Sequence, residues 1–183
     1  MRKLVYYVAI SADGFICHED GAIDGFMNQH GGALQQGPHI DDFLASYMDF
    51  DTVLMGRKTY DLGVKFGVTN PYPMLKQYLF SRSMTESPDE NVELVREKAV
   101  DLIRNLKTEA GKPIWLCGGA EMATTLFQEN LIDELVLKLN PFLMGKGIPL
   151  FSGVVEQTDL RLEKSKVYSN GCVWLYYQIV PQN

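Results

Sequence analysis

The sequence predicts an α/β fold: a mixed, mostly parallel central sheet with helices on both faces and a C-terminal antiparallel hairpin. Three observations lead there. Apolar β-former runs alternate with segments of helical spacing through the first two thirds of the 183 residues. Two of those runs end at glycine and restart at once as a helix, at Gly56 and at Gly118-Gly119. The last third carries two β-rich runs around Ser169-Asn170-Gly171, a hairpin turn signal.

In chain order, Lys3 to Ile10 is apolar almost throughout, as a central strand buried on both faces is. Ser11-Ala12-Asp13-Gly14 turns the chain, Phe15-Ile16-Cys17 follows, and Asp20-Gly21 turns it again. The 21–38 stretch has little periodicity and reads either as a lid or binding loop or as a surface insertion. Pro38 opens a helix whose Ile40, Phe43, Leu44, Tyr47 and Met48 form one stripe toward a core. Thr52 to Met55 is a short buried strand, and Gly56-Arg57-Lys58-Thr59-Tyr60 begins the next helix, with Thr59 available to cap it.

Tyr78-Leu79-Phe80 is another strand and Val92 to Val95 an edge strand. Ala99, Leu102, Ile103 and Leu106 mark an amphipathic helix closed by Gly111 and Pro113. Ile114 to Cys117 is again buried on both faces, and Ala123, Leu126 and Phe127 take up helical spacing after the glycine pair. Leu131 to Leu137 leaves that helix and becomes a strand reaching Asn140-Pro141. Gly145-Lys146-Gly147 lacks the spacing of a Walker motif and reads as a loop. Leu160 to Tyr168 alternates as a half-exposed antiparallel strand does, and Val173 to Val180 returns as the last strand.

Composition narrows the function. The length suits a single domain spanning residues 1–183. Acidic residues outnumber basic ones, 23 to 17, with no Lys/Arg cluster, which argues against a nucleic-acid partner. No 18-residue apolar run or secretory signal is seen, so no membrane association is expected. Three widely spaced cysteines without a CxxC pair fit a reduced, cytoplasmic protein with no structural zinc.

Three turns have anion-binding character, all at the carboxyl ends of strands, where ligands collect in such sheets. At 118–122, paired glycines let a phosphate approach backbone N–H groups beside the positive end of a helix. At 56–59 a glycine, an arginine and a helix start recur. At 81–82, Ser81 and Arg82 suit a phosphate monoester through the guanidinium fork. Taken alone, the 118–122 and 81–82 turns read sooner as plain turns, and the 56–59 turn equally so. Together they suit a dinucleotide carrying an extra phosphate.

The succession Ser-x-Asp-Gly, Val-Leu-Met-Gly-Arg-Lys-Thr-Tyr, Phe-Ser-Arg and Leu-Cys-Gly-Gly-Ala resembles the dihydrofolate reductase-like fold. The later Leu-Ile-Asp-Glu-Leu and Asn-Pro-Phe-Leu-Met-Gly-Lys-Gly-Ile-Pro-Leu-Phe are similar to the reductase domain of the bifunctional riboflavin-biosynthesis deaminase/reductase, the RibD C-terminal domain family. The resemblance covers nearly the whole chain and implies NADPH as cofactor. It places Gly56, Arg57, Lys58 and Thr59 on the pyrophosphate and ribose. It places Ser81 and Arg82 on the 2′-phosphate, and Gly118, Gly119, Ala120, Glu121 and Met122 around the pyrophosphate and nicotinamide ribose. Ala9, Ile10 and Ile16 line the nicotinamide, and a cis peptide is expected at Gly118-Gly119. Asp13 is placed beside the substrate, although the residue alone reads as a turn-former.

The activity implied is hydride transfer from NADPH to a pterin-like or ribosylaminopyrimidine-like heterocycle, an oxidoreductase acting on CH–OH or CH–NH groups. The proton-donating acid of dihydrofolate reductases falls near Asp41 and Asp42, which read equally as first-turn acids complementing a helix dipole. The Trp that accompanies that acid has no counterpart nearby, and neither the deaminase half nor its zinc motif is present. The alternative is an NADPH-binding sensor or partner module without turnover. His18, His30 and His39 lie in or beside the 21–38 loop and are assigned no role. A homodimer is expected from the family, with Val173 to Tyr177 either supplying its surface or lying in the core.

Overall fold

The computed structural model describes residues 1–27 and 37–181. In chain order its elements are β1 (Leu4–Ser11), β2 (Phe15–Cys17), α1 (Asp24–Met27), α2 (Pro38–Ser46), β3 (Thr52–Gly56), α3 (Arg57–Lys65), β4 (Lys76–Phe80) and β5 (Val92–Val95). There follow α4 (Ala99–Thr108), β6 (Ile114–Gly118), α5 (Ala120–Gln128), β7 (Glu134–Asn140), β8 (Ile148–Pro149), β9 (Leu160–Val167) and β10 (Val173–Ile179). Eight strands form one sheet in the order β5-β4-β3-β6-β1-β7-β10-β9. The first six run parallel, and β10 is antiparallel to both its neighbours. β2 and β8 pair separately.

The continuous apolar runs explain the layering. Successive residues of a strand point to opposite faces, so a run apolar at every position needs cover on both sides. In β1, Leu4 and Tyr6 enter the core beneath α4 and α5, with Ile103, Leu106, Ala123 and Leu126. Val5 and Tyr7 enter the opposite core, with Trp115, Trp174 and Tyr60 of α3, against which Phe43 of α2 packs. Trp115 is the hub of that second core: Tyr47 stacks on it at 5.5 Å and Tyr72 meets its edge at 4.7 Å. Buried charges are paired. Arg2 bonds Asp51, Thr52 and the Lys112 carbonyl, and Lys107 bonds Asp133 and the Leu131 carbonyl.

Three expectations need correction. The α2 stripe is shorter than its spacing suggests: Leu44 and Met48 are 54% and 67% exposed, and a 3₁₀ turn at Tyr47–Asp49 takes Met48 off the helical spacing. His39 is the residue α2 buries instead. β9 is not half-exposed: all eight of its residues are exposed, since among the described residues it is the sheet's edge strand. Within 21–38, α1 forms a short helix, and residues 28–36, with His30, lie outside the described part. No described helix is long and apolar enough to cross a membrane.

Candidate active site

Because β4, β3, β6, β1 and β7 are consecutive and parallel, their carboxyl ends share one edge of the sheet. Gly56 is in register with Phe80, so Ser81 and Arg82 leave the sheet beside Arg57. On the other side of β3, Met55 is in register with Gly118. Strands lie about 4.8 Å apart, so the three anion-type turns fall within roughly 10 Å along the edge.

Two of the turns touch. A Cβ on Gly56 would sit 3.1 Å from the Gly119 amide nitrogen, and one on Gly118 would sit 3.1 Å from Thr59 Oγ1. Gly118 has φ +149°, which L side chains rarely adopt, and the Gly118-Gly119 peptide is cis. Thr59 caps nothing; it lies inside α3 and faces the glycine pair. Gly56 and Gly119 are the N-caps of α3 and α5, and among the described residues no side chain caps either helix start. Their first-turn N–H groups are thus left to water or a ligand.

The side chains at this edge differ in availability. Arg57 is committed in part: its Nε donates to both Asp61 oxygens at 2.7 Å. Lys58 is exposed, and its charge reaches Cys17, where burial raises the thiol pKa and Lys58 opposes it. Ser81 is buried, accepting from the Met84 amide at 3.2 Å, while Arg82 is exposed. Ala120 belongs to the core, Met122 packs against it, and Glu121 is exposed in the first turn of α5. At that helix start it is the backbone amides that suit an anion; the Glu121 carboxylate would repel one.

A cleft opens beside these turns. β1 pairs with β6 only over Leu4–Tyr6 but with β7 as far as Ser11. Beyond Tyr6 and Leu116, β6 shifts register toward β3. The Tyr7 carbonyl, left without a β6 partner, accepts from the Trp115 indole at 2.9 Å. The Ile10 carbonyl points the other way and accepts from Asn140 of β7 at 3.2 Å. By that alternation the Ala9 N–H and C=O face the cleft. Ile10 is buried, and Ile16 is half-buried in β2, which packs beside β1.

Asp13 is occupied structurally. It accepts from Ser11 Oγ and from the Met144 and Gly145 amides, at 2.6, 3.0 and 2.7 Å. The Ser11 bond above all holds its pKa down at about 2. It therefore ties the β1–β2 turn to the loop before β8, and the substrate role is not supported by this geometry. Neither acid of α2 is placed to give a proton. Asp41 is exposed in the first turn. Asp42 accepts from Lys166 and Tyr168, which lower its pKa and keep it a carboxylate. Buried His39 lies against Asn170 and the Tyr168 ring. His18 lies 3.6 Å from Asp24. Among the described residues no group of His, Cys, Asp or Glu could hold a metal.

Two residues escaped the sequence reading. Arg96 follows Val95, the register partner of Phe80, so it leaves β5 beside Arg82; the signal was an arginine at a strand end, as at Arg82. Lys138 interrupts the apolar run Leu135-Val136-Leu137-Lys138-Leu139, and its Nζ lies 3.3 Å from the centre of the Phe43 ring and 5.0 Å from that of Tyr7. Desolvation lowers its pKa to about 7.

The chain is 37% identical over 176 residues to the uncharacterized protein YwjB of Bacillus subtilis (strain 168), covering 96% of this chain and 97% of that one. It is similar to a putative riboflavin biosynthesis protein from Shewanella sp. PV-4, with TM-score 0.79, 28% identity and coverage of 99% and 100%. Two more distant likenesses show the fold. Acinetobacter baumannii RibD gives TM-score 0.71 at 15% identity, over 99% of this chain and 59% of that one. Dihydrofolate reductase from Enterococcus faecalis, complexed with NADP(H) and RAB-propyl, gives 0.67 at 15%, over 97% and 96%. The α/β fold is thus dihydrofolate reductase-like. Residues 2–174 match the RibD C-terminal domain, and the chain belongs to that family.

Proposed function

We propose that the protein is an NADPH-dependent reductase of a small pterin-like or ribosylaminopyrimidine-like heterocycle, acting on a CH–NH or CH–OH group. The observation that carries this reading is the contact of Gly56 with Gly119 at one sheet edge, with Arg82 two residues past the neighbouring strand end. A cradle that a single Cβ would fill, flanked by two uncapped helix starts, fits a pyrophosphate. The first-turn amides of α3 and α5 would hold it, with Thr59 alongside. Ser81, Arg82 and Arg96 would hold the 2′-phosphate, and the Ala9 backbone would orient the nicotinamide carboxamide. When bound, the cofactor supplies the hydride. The protein's part is to fix the ring against the substrate and exclude water from the cleft.

A non-catalytic nucleotide-binding module is the second reading, favoured by Asp42 being tied to Lys166 and Tyr168. Calorimetric titration with NADPH, followed by absorbance at the nicotinamide band with dihydrofolate and with 5-amino-6-(5-phosphoribosylamino)uracil, separates the two. The reductase reading expects micromolar binding and oxidation with a heterocycle of this class. Binding without oxidation selects the module, and no binding removes both. The three free cysteines suit a cytoplasmic setting. We also propose a homodimer through the exposed β9 edge, since Trp174 of the hairpin is 3% exposed and already in the core.

A further inference from the structure

We propose that Lys138 is the catalytic proton donor of this site, delivering its Nζ proton to the substrate heteroatom next to the carbon that takes the hydride. The proposal rests on the reductase reading above. Lys138 of β7 is in register with Ala9 of β1, the residue whose backbone faces the cleft. It shares a sheet face with Val136, and so with the Trp115 core rather than the α4–α5 side. Its Nζ lies 3.3 Å from the centre of the Phe43 ring.

Lys138 is half-buried, and its surroundings set it apart from a structural lysine. Lys107, which is buried, bonds Asp133 and a carbonyl, as a structural cation does. Among the described residues Lys138 Nζ has no ion pair and no hydrogen bond. From β1 it meets Tyr7 and from α2 Phe43, and the thiols of Cys117 on β6 and of Cys172, the residue before β10, lie near enough to act on its charge. None of these is a carboxylate. Asp42, the carboxylate of α2 nearest in sequence, is held by Lys166 and Tyr168. Burial moves the ammonium toward pH 7, where a general acid transfers protons most effectively. The sites of Asp41 and Asp42 on α2 thus cede the role to a residue from the strand beneath.

The step balances. The substrate's C=N bond gains hydride at carbon from the reduced nicotinamide and a proton from Nζ at nitrogen. The π electron pair becomes the new N–H bond, the substrate is reduced and the nicotinamide oxidised. Lys138 is left as a neutral amine and is recharged from water. The substrate class that follows is an electron-poor cyclic imine, neutral or anionic, because a cation would be repelled by the ammonium.

The test reads Lys138 itself. Lysine labelled with ¹³C at the ε position is followed by NMR from pH 5 to 11, with Lys138→Met assigning the signal and Lys138→Arg serving if that variant misfolds. One lysine titrates near 7 in the free protein. Saturating NADP⁺, whose nicotinamide is cationic, lowers that midpoint by about one unit. Adenosine 2′,5′-bisphosphate, which lacks the nicotinamide, binds and leaves it in place. On the heterocycle the wild type reduces, Lys138→Met lowers kcat about 10²- to 10⁴-fold with NADPH affinity unchanged. A midpoint near 10, a midpoint unmoved by calorimetrically bound NADP⁺, or turnover within about threefold in Lys138→Met overturns the proposal. Absent NADP⁺ binding instead removes the cofactor reading, and the proposal with it.

Discussion

Gly56 and Gly119 meet across two neighbouring strand ends, a Cβ on the first falling 3.1 Å from the amide nitrogen of the second. Gly56 has φ −72° and ψ 159°, a conformation open to any residue, so backbone strain does not require glycine there. Only the close approach does. Gly56→Ala therefore separates the two turns without unfolding the chain. NADPH affinity falls at least about tenfold in a calorimetric titration, a loss on the order of 1.4 kcal/mol. Unchanged affinity would show that the turns do not act on one ligand.

Arg82 leaves β4 beside the Gly56 turn, and Arg96 leaves β5 beside Arg82. A guanidinium fork grips a phosphate monoester but gains nothing from a ribose hydroxyl. Arg82→Ala weakens NADPH by about 10- to 100-fold and leaves NADH within about twofold; the double variant with Arg96→Ala erases the preference. Competition between the two cofactors in a fluorescence titration measures it. Equal losses for both would place these arginines off the 2′-phosphate.

The sheet was legible because apolar runs and period-2 alternation are local signals, and the glycine-to-helix junctions sit where the sequence puts them. The three turns could be named but not joined, since the strand order that makes β4, β3 and β6 neighbours is a long-range result. Lys138 was invisible for a related reason. A single lysine in an apolar strand declares itself only when its register with Ala9 and the ring of Phe43 are known. Asp42 could not be read because an acid in α2 carries no mark of the Lys166 and Tyr168 partners over 120 residues away.

Asp13 holds three donors and its pKa is depressed to about 2. A carboxylate whose folded pKa lies below its unfolded value of about 3.9 stabilises the fold above that value. The contribution disappears as pH falls from about 4 through 2. Asp13→Asn lowers the Tm at pH 7 but leaves it nearly unchanged at pH 2, so the two melting curves converge on acidification. Parallel Tm–pH profiles for wild type and variant would exclude this linkage.

β9 exposes Leu160 and Leu162 at 41% and 52% on an edge that no further strand among the described residues extends. An open edge with apolar side chains is costly in an isolated chain. The expected assembly is a dimer by light scattering, and Leu162→Glu converts it to a monomer with NADPH binding retained. A monomeric wild type at tens of micromolar (~50 μM, above the Kd of a specific interface) rejects the dimer.

Trp115 joins the core to the cleft, because its indole N–H satisfies the Tyr7 carbonyl where β6 has turned away. Trp115→Phe keeps an aromatic ring against Tyr47 and Tyr72 but leaves that buried carbonyl without a donor. An orphaned buried acceptor costs about 1–3 kcal/mol. At about 2–4 °C per kcal/mol for a chain of this size, the Tm drops by about 6 °C. Tyr47→Phe is the companion variant. The Tyr47 hydroxyl has no hydrogen-bond partner among the described residues, and burial raises its pKa to about 12. Its removal orphans nothing, so Tm changes by about 1 °C or less. The contrast isolates the hydrogen bond from ring packing: similar losses in both variants would assign the Trp115 effect to packing alone.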